Sequence, residues 1–194
     1  MTHSTKLILG SQSPRRRDLL ENVGFQFEVK SIDHDEVFPD DMPVEDVAEF
    51  LAIEKNRAFR EQLKDETVLT ADTVVISKDR ILGKPKNKVE AINMLSALSG
   101  NSHSVVTGVC ISNDQNRHSL SSSTQVKIKT LSINEINHYV SKFEPFDKAG
   151  AYGIQEWFGL IAVEWIKGSF YNVVGLPIHE VYDILTEEFS ISPY

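Results

Sequence analysis

The chain of 194 residues contains one cysteine, so no disulfide can form within it, and Cys110 in VVTGVCIS reads as inert core in a reducing compartment. There is no excess of basic residues. The formal net charge of −8 excludes a protein whose main role is wrapping nucleic acid; an anion, if bound, is bound in a local pocket. No apolar run approaches the ~18 residues of a membrane span. The N-terminus enters LILG without a signal-peptide hydrophobic region, which places the chain in the cytoplasm with no membrane partner. The six histidines form neither HExxH nor a Cys–His zinc spacing, and GxxxxGK[ST], GxGxxG and GxSxG are absent. These absences argue against zinc, P-loop, Rossmann and α/β-hydrolase chemistry. Gly and Pro are few, and no repeat or linker-like tract divides the chain, so one domain over 1–194 is expected.

What is present alternates between two periodicities. Lys6 to Gly10 reads as a strand, and Ser13-Pro14 as N-cap and first residue of a helix to about Val23. A strand follows near 25–32, then a helix from Val44 to about Gln62. The β-branched run TVLTADTVVI (67–76) reads as a strand returning through Ile81-Leu82. Asn87 to Ser99 is helical with Gly100 as its terminating glycine, and His103 to Ser112 and Gln125 to Leu131 are strands, with LSSST (120–124) a polar stretch between them. Ser132-x-x-Glu135 opens a helix to about Phe143. The spacing then predicts a strand pair, 160–166 and 169–174, and a last helix started by Pro177. This is an α/β chain with a mixed twisted sheet and flanking helices.

Three placements go against the usual preferences. Arg15, Arg16 and Arg17 crowd the first turn of a helix, where the dipole disfavours each cation by roughly 0.3–1 kcal/mol; a docked polyanion would offset this. Arg17 is the exception, being well placed to pair with Glu21. Lys55 projects from the apolar stripe of Val44, Val47, Ala48, Leu51, Ala58 and Phe59, so it either snorkels outward or meets a buried anion. Asp72 interrupts an apolar strand, where a carboxylate needs a metal, a partner or a turn to cap. Glu36, in the acidic run DHDEVFPDD, is a second carboxylate; Mg²⁺ needs only one or two together with phosphate oxygens. Lys84 sits between Gly83 and Pro85, which hold a loop cation in one place.

Taken in order, SQSPRRR, LAIEKNRA, ADTVV, GKP, DKAGAYGIQ and NVVGLP resemble the Maf family of nucleotide pyrophosphatases over nearly the whole chain; Gly10 stands where that family usually has Ala, a departure of little expected consequence. The resemblance implies two lobes around a long cleft, as in Maf and ITPase-like folds, and hydrolysis of dTTP and UTP between the α- and β-phosphates with Mg²⁺ or Mn²⁺. It implies Asp72 as the proton acceptor that activates water, and Glu36 assisting at the metal. Arg15, Arg16, Lys55 and Lys84 would bind phosphates, with Ser11 and Ser13 in the same loop. Thr73, Arg15 and Gln155 match the specificity positions of the dTTP/UTP branch, and the resemblance suggests a homodimer. A pyrophosphatase for another base such as 7-methyl-GTP, or a nucleotide-binding regulator of division that does not hydrolyse, are the alternatives.

Overall fold

The computed structural model describes residues 6–32, 37–63 and 65–194. Its elements in chain order are β1 (Leu7–Leu9), α1 (Pro14–Asn22), β2 (Phe27–Val29), α2 (Val47–Arg60), β3 (Thr67–Ser77), β4 (Arg80–Leu82) and α3 (Lys88–Leu98). There follow β5 (Ser102–Ser112), β6 (Arg117–Ile128), α4 (Ile133–Phe143), a 3₁₀ turn (Ala149–Ala151), α5 (Trp157–Ala162), β7 (Val163–Lys167), α6 (Phe170–Val174) and α7 (Ile178–Glu187). The strands form a sheet in the order β2-β1-β3-β5-β6-β7, with β4 on β3. It is mixed: β1 lies parallel to β2 and β3, whereas β3–β4 and β6–β7 are antiparallel.

The chain divides into two compact units. One holds residues up to Asp72, 107–122 and 175–194; the other holds 73–106 and 123–174. In the first, Leu7 and Leu9 pack with Leu69, Ile111, Leu176, Val181 and Leu185 into a core, while Ile8 packs on Phe59 and Val68. Strand β1 is therefore buried on both sides, which is why it reads as a continuous apolar run. Helix α2 lies so close to β5 that a Cβ on Gly108 would come 2.2 Å from the Glu49 amide nitrogen. Gly10 is equally constrained: a Cβ there would lie 2.6 Å from Phe59 Cε2, so this glycine makes room for the Phe59 ring and is not an indifferent departure.

In the second unit, α4 is held at its N-terminus by the expected capping box between Ser132 and Glu135, and α3 by Asn87 accepting from Glu90 N. Lys129 and the Ser132 backbone and hydroxyl bond the Glu135 carboxylate and bring its pKa down to about 2. Beneath lies a buried pair, His103 Nε2 and Tyr152 OH, 2.7 Å apart; His103 Nδ1 has no hydrogen-bond partner among the described residues.

Three expectations fail. The expected strand 160–166 is strand only from Val163, as β7, and residues 157–162 are helix: Phe158 and Ala162 are buried, four residues apart, while Leu160 is 84% exposed. A Cβ on Gly159 would lie 1.7 Å from Ile154 O, a close approach that only glycine allows. Residues 170–174 are also helical; Ser169 Oγ accepts from Asn172 N, and the buried Asn172 amide donates to Val105 O and Thr124 Oγ1. Short apolar runs carry too few residues to separate the two periods. Strand β6 begins at Arg117, eight residues before the predicted start, so LSSST is strand. Its end alternates, with Ser121, Ser123 and Gln125 exposed and Thr124, Val126 and Ile128 buried, so the polar residues mark a solvated face.

Burial lowers the His103 pKa to about 4 from 6.5. The unfolded chain therefore takes up a proton between these values that the folded chain refuses, and stability falls as pH drops from 6.5 to 4. His103→Gln, unfolded in urea at pH 7 and pH 4, is expected to lose about 3 kcal/mol less over that interval than the wild type. Equal losses in both proteins would show that His103 carries no such linkage.

Candidate functional site

Helix α1 has no acidic residue in its first turn and three arginines there, and its N-cap Ser13 makes no side-chain cap bond. The three cations are handled differently. Arg17 is exposed and lies 3.6 Å from Asp18 Oδ1 and 3.7 Å from Glu21 Oε1, a surface pair. Arg16 turns back: its Nε donates to Gly175 O (2.7 Å), and its Nη1 to Ala71 O (2.8 Å) and Ser11 Oγ (3.2 Å). Ser11 Oγ also accepts from Ser13 N at 3.2 Å. One guanidinium thus joins the loop after β1, the strand β3 at the residue before Asp72, and the loop leading to α7. Arg15 is half-buried in the same turn.

Asp72 is buried, with its side chain 10% exposed, and Lys55 Nζ donates to Asp72 Oδ2. The lysine therefore reaches a buried anion rather than snorkelling to water. Helix α2 is placed for this by the next residue. Asn56 Nδ2 donates to Val68 O (3.0 Å) and Cys110 O (3.1 Å), and its Oδ1 accepts from Ser112 Oγ. Thr70 Oγ1 adds a bond to Ala52 O at 2.7 Å. These contacts lock the turn of α2 that carries Lys55 against β3 and β5. Glu54 and Arg57, on the other side of the helix, pair with each other at 2.6 Å. Cys110 is buried, and that burial pushes its thiol up to about 11, so it stays protonated at neutral pH.

The first unit thus brings together Ser11, Ser13, Arg16, Lys55 and Asp72. The second contains Thr73, Lys84 and Gln155. Thr73 follows Asp72 on β3 and is half-buried, facing the opposite side of the strand. Lys84 is exposed in the loop after β4, where Gly83 O accepts from Gly150 N at 3.1 Å. Gly150 has φ +68, and a Cβ there would lie 2.9 Å from a Val75 methyl, so glycine is required on both counts. Gln155 is exposed. Glu36 lies outside the described residues.

Sequence reasoning missed Asn56, because a polar residue one step from Lys55 looks solvated until its helix is docked. It also missed the Arg16 clamp, whose acceptors are main-chain carbonyls that leave no side-chain signature. Lys148, inside DKAGAYGIQ, is 8% exposed and pairs with Asp147 (2.7 Å) and Glu156 (3.2 Å).

Among the described residues, no group of three or more His, Cys, Asp or Glu could hold a metal ion. Asp72, the buried carboxylate of this cluster, is paired with Lys55; a hard divalent ion accepts one or two carboxylates when phosphate oxygens complete its shell.

A family model described as Maf-like protein matches residues 6–188. A protein of Porphyromonas gingivalis named dTTP/UTP pyrophosphatase is 48% identical over 186 residues, covering 94% of each chain. One of the same name from Christiangramia forsetii is 43% identical over 183 residues, covering 94% of this chain and 93% of its own. Among solved structures, the Ham1 protein of Staphylococcus aureus superposes with TM-score 0.46 at 15% identity, over 64% of this chain and 72% of that one.

Arg16→Lys keeps the charge but loses the fork that joins Ala71 O to Gly175 O. It is expected to lower unfolding free energy in urea by about 1–2 kcal/mol; an unchanged midpoint would mean that the clamp contributes nothing to the fold.

Proposed function

The chain belongs to the Maf family, and on that premise we propose that it hydrolyses dTTP and UTP to the nucleoside monophosphate and pyrophosphate. The observation that carries the reading is the buried Asp72 carboxylate paired with Lys55, on a strand residue adjoining the Ala71 carbonyl that Arg16 holds. A carboxylate next to ammonium and guanidinium groups is what water attack on a polyanion requires: a proton acceptor beside countercharge for the phosphates.

Asp72 takes the proton of the water that attacks the α-phosphorus. Lys55 keeps its bond to Asp72 and brings its ammonium charge to the phosphate oxygens. Arg15 and Lys84 bind phosphates. Arg16, committed to two carbonyls and Ser11, contributes its charge. Bound Mg²⁺ or Mn²⁺, held by Asp72 with Glu36, would supply charge neutralisation at the phosphates and the leaving pyrophosphate. Thr73 and Gln155 select the base: a side-chain amide can pair with the N3–H and O4 of uracil or thymine. The relatives' shared name supports this substrate pair. No described helix is long and apolar enough to cross a membrane, in keeping with a cytoplasmic enzyme, and a homodimer is the assembly we expect.

Asp72→Asn, nearly isosteric, is expected to reduce pyrophosphate release from UTP about a thousandfold while nucleotide binding, followed by calorimetry with Mg²⁺, persists. Near-normal turnover in the purified variant would remove Asp72 from the chemistry. Gln155→Ala should lower the preference for UTP over CTP in kcat/KM by about tenfold; an unaltered ratio would take Gln155 out of base reading.

A further inference from the structure

A glutamine amide cannot by itself tell uracil from cytosine, because rotation by half a turn exchanges its donor and acceptor. The main chain around it has no such freedom. Gln155 is the third residue of a four-residue turn, Gly153 to Glu156, closed by Glu156 N donating to Gly153 O at 3.2 Å. Both ends of that turn meet one hydroxyl. Tyr139 OH accepts from Gly153 N at 3.2 Å and donates to Glu156 Oε2 at 3.1 Å. The other carboxylate oxygen, Glu156 Oε1, lies 3.2 Å from Lys148 Nζ.

The arrangement departs from local preference in two ways. Glu156 is the N-cap residue of α5, yet its side chain makes no cap bond and turns to Tyr139 and Lys148 instead. Gly153 lies so close behind that a Cβ there would come 2.8 Å from Glu156 Cδ. Tyr139 is itself closely packed. It is fully buried, stacked with Phe143 (ring centroids 5.2 Å apart) and Trp157 (6.1 Å), and packed on Phe158 at 5.0 Å. Two of those rings directly follow Glu156 in the chain. Burial, then the Glu156 charge, hold the phenol well above its ordinary pKa, so it keeps the proton it donates.

We propose that Tyr139 is a positioning residue for pyrimidine selection: its hydroxyl ties both ends of the Gly153–Glu156 turn, so that main-chain groups and the Gln155 amide meet the base in one register. This rests on the reading of Gln155 as the base-contacting residue. A fixed N–H facing position 4 of the base accepts uracil O4 and rejects the cytosine amine, whereas a loosened turn adapts to either.

Tyr139→Phe removes the hydroxyl and keeps the ring. The readout is the ratio of kcat/KM for UTP over CTP, in which the fraction of active enzyme cancels, so a general loss of stability does not move it. Three variants are measured beside the wild type: Tyr139→Phe, Gln155→Ala as the reference for lost base reading, and Phe143→Leu, which disturbs the same ring stack without touching the hydroxyl. Tyr139→Phe should lower the ratio about fivefold, approaching Gln155→Ala, while Phe143→Leu leaves it within about twofold of wild type. A wild-type ratio in Tyr139→Phe with a collapsed ratio in Gln155→Ala overturns the positioning role alone. An equal fall in Phe143→Leu also overturns it, by assigning the effect to packing. An unchanged ratio in Gln155→Ala overturns the underlying base reading, and this inference with it. If Tyr139→Phe does not yield folded protein, Glu156→Ala cuts the other end of the same closure and is expected to lower the ratio by a similar factor, an unchanged ratio counting against the proposal.

Discussion

A carboxylate in the middle of a buried strand is tolerated only with a cation brought to it, and the first unit is organised around that requirement. Leaving Asp72 unpaired would cost several kcal/mol. Lys55 meets it from α2, which must therefore lie at a fixed height and rotation against the sheet. Asn56 sets the rotation through carbonyls on two strands, and Gly108 permits the depth. Arg16 then ties the loop after β1 and the approach to α7 to the carbonyl just before Asp72. Breaking one partner would leave others buried without bonds, so the set acts as a unit.

The same economy explains why the arginines are not equivalent. The positive end of α1 repels all three; Arg17 turns to the acidic residues of its own helix and Arg16 to main-chain carbonyls, and in the proposed reaction Arg15 also meets the phosphates of the substrate. A binding surface built only for anions would have no need of Asp72.

Much of this was legible in the sequence because it violated propensity. Lys55 in an apolar stripe and Asp72 in an apolar strand each stood out alone, and the structure supplies what neither pattern showed, that they are each other's partner. The helices with caps, at Ser132 and Asn87, came out at their predicted starts, since capping chemistry is local. Helix α2, without a side-chain cap, begins at Val47 rather than Val44. What was illegible depends on distant partners. Residues 157–162 and 170–174, on either side of β7, become helical because Gly159 allows the chain against Ile154 and because Asn172 finds Val105 and Thr124; neither partner is visible within its segment. Arg16 and Asn56 bind carbonyls, which every residue has, so no pattern in the side chains could reveal them.

The central claim is that Asp72 directs water, rather than itself, at the α-phosphorus. A single turnover of UTP in heavy-oxygen water, with both products and the peptide containing Asp72 analysed by mass spectrometry, tests it most directly. The account predicts the label on the phosphate of UMP; label in pyrophosphate, or in the Asp72 carboxylate, would contradict it.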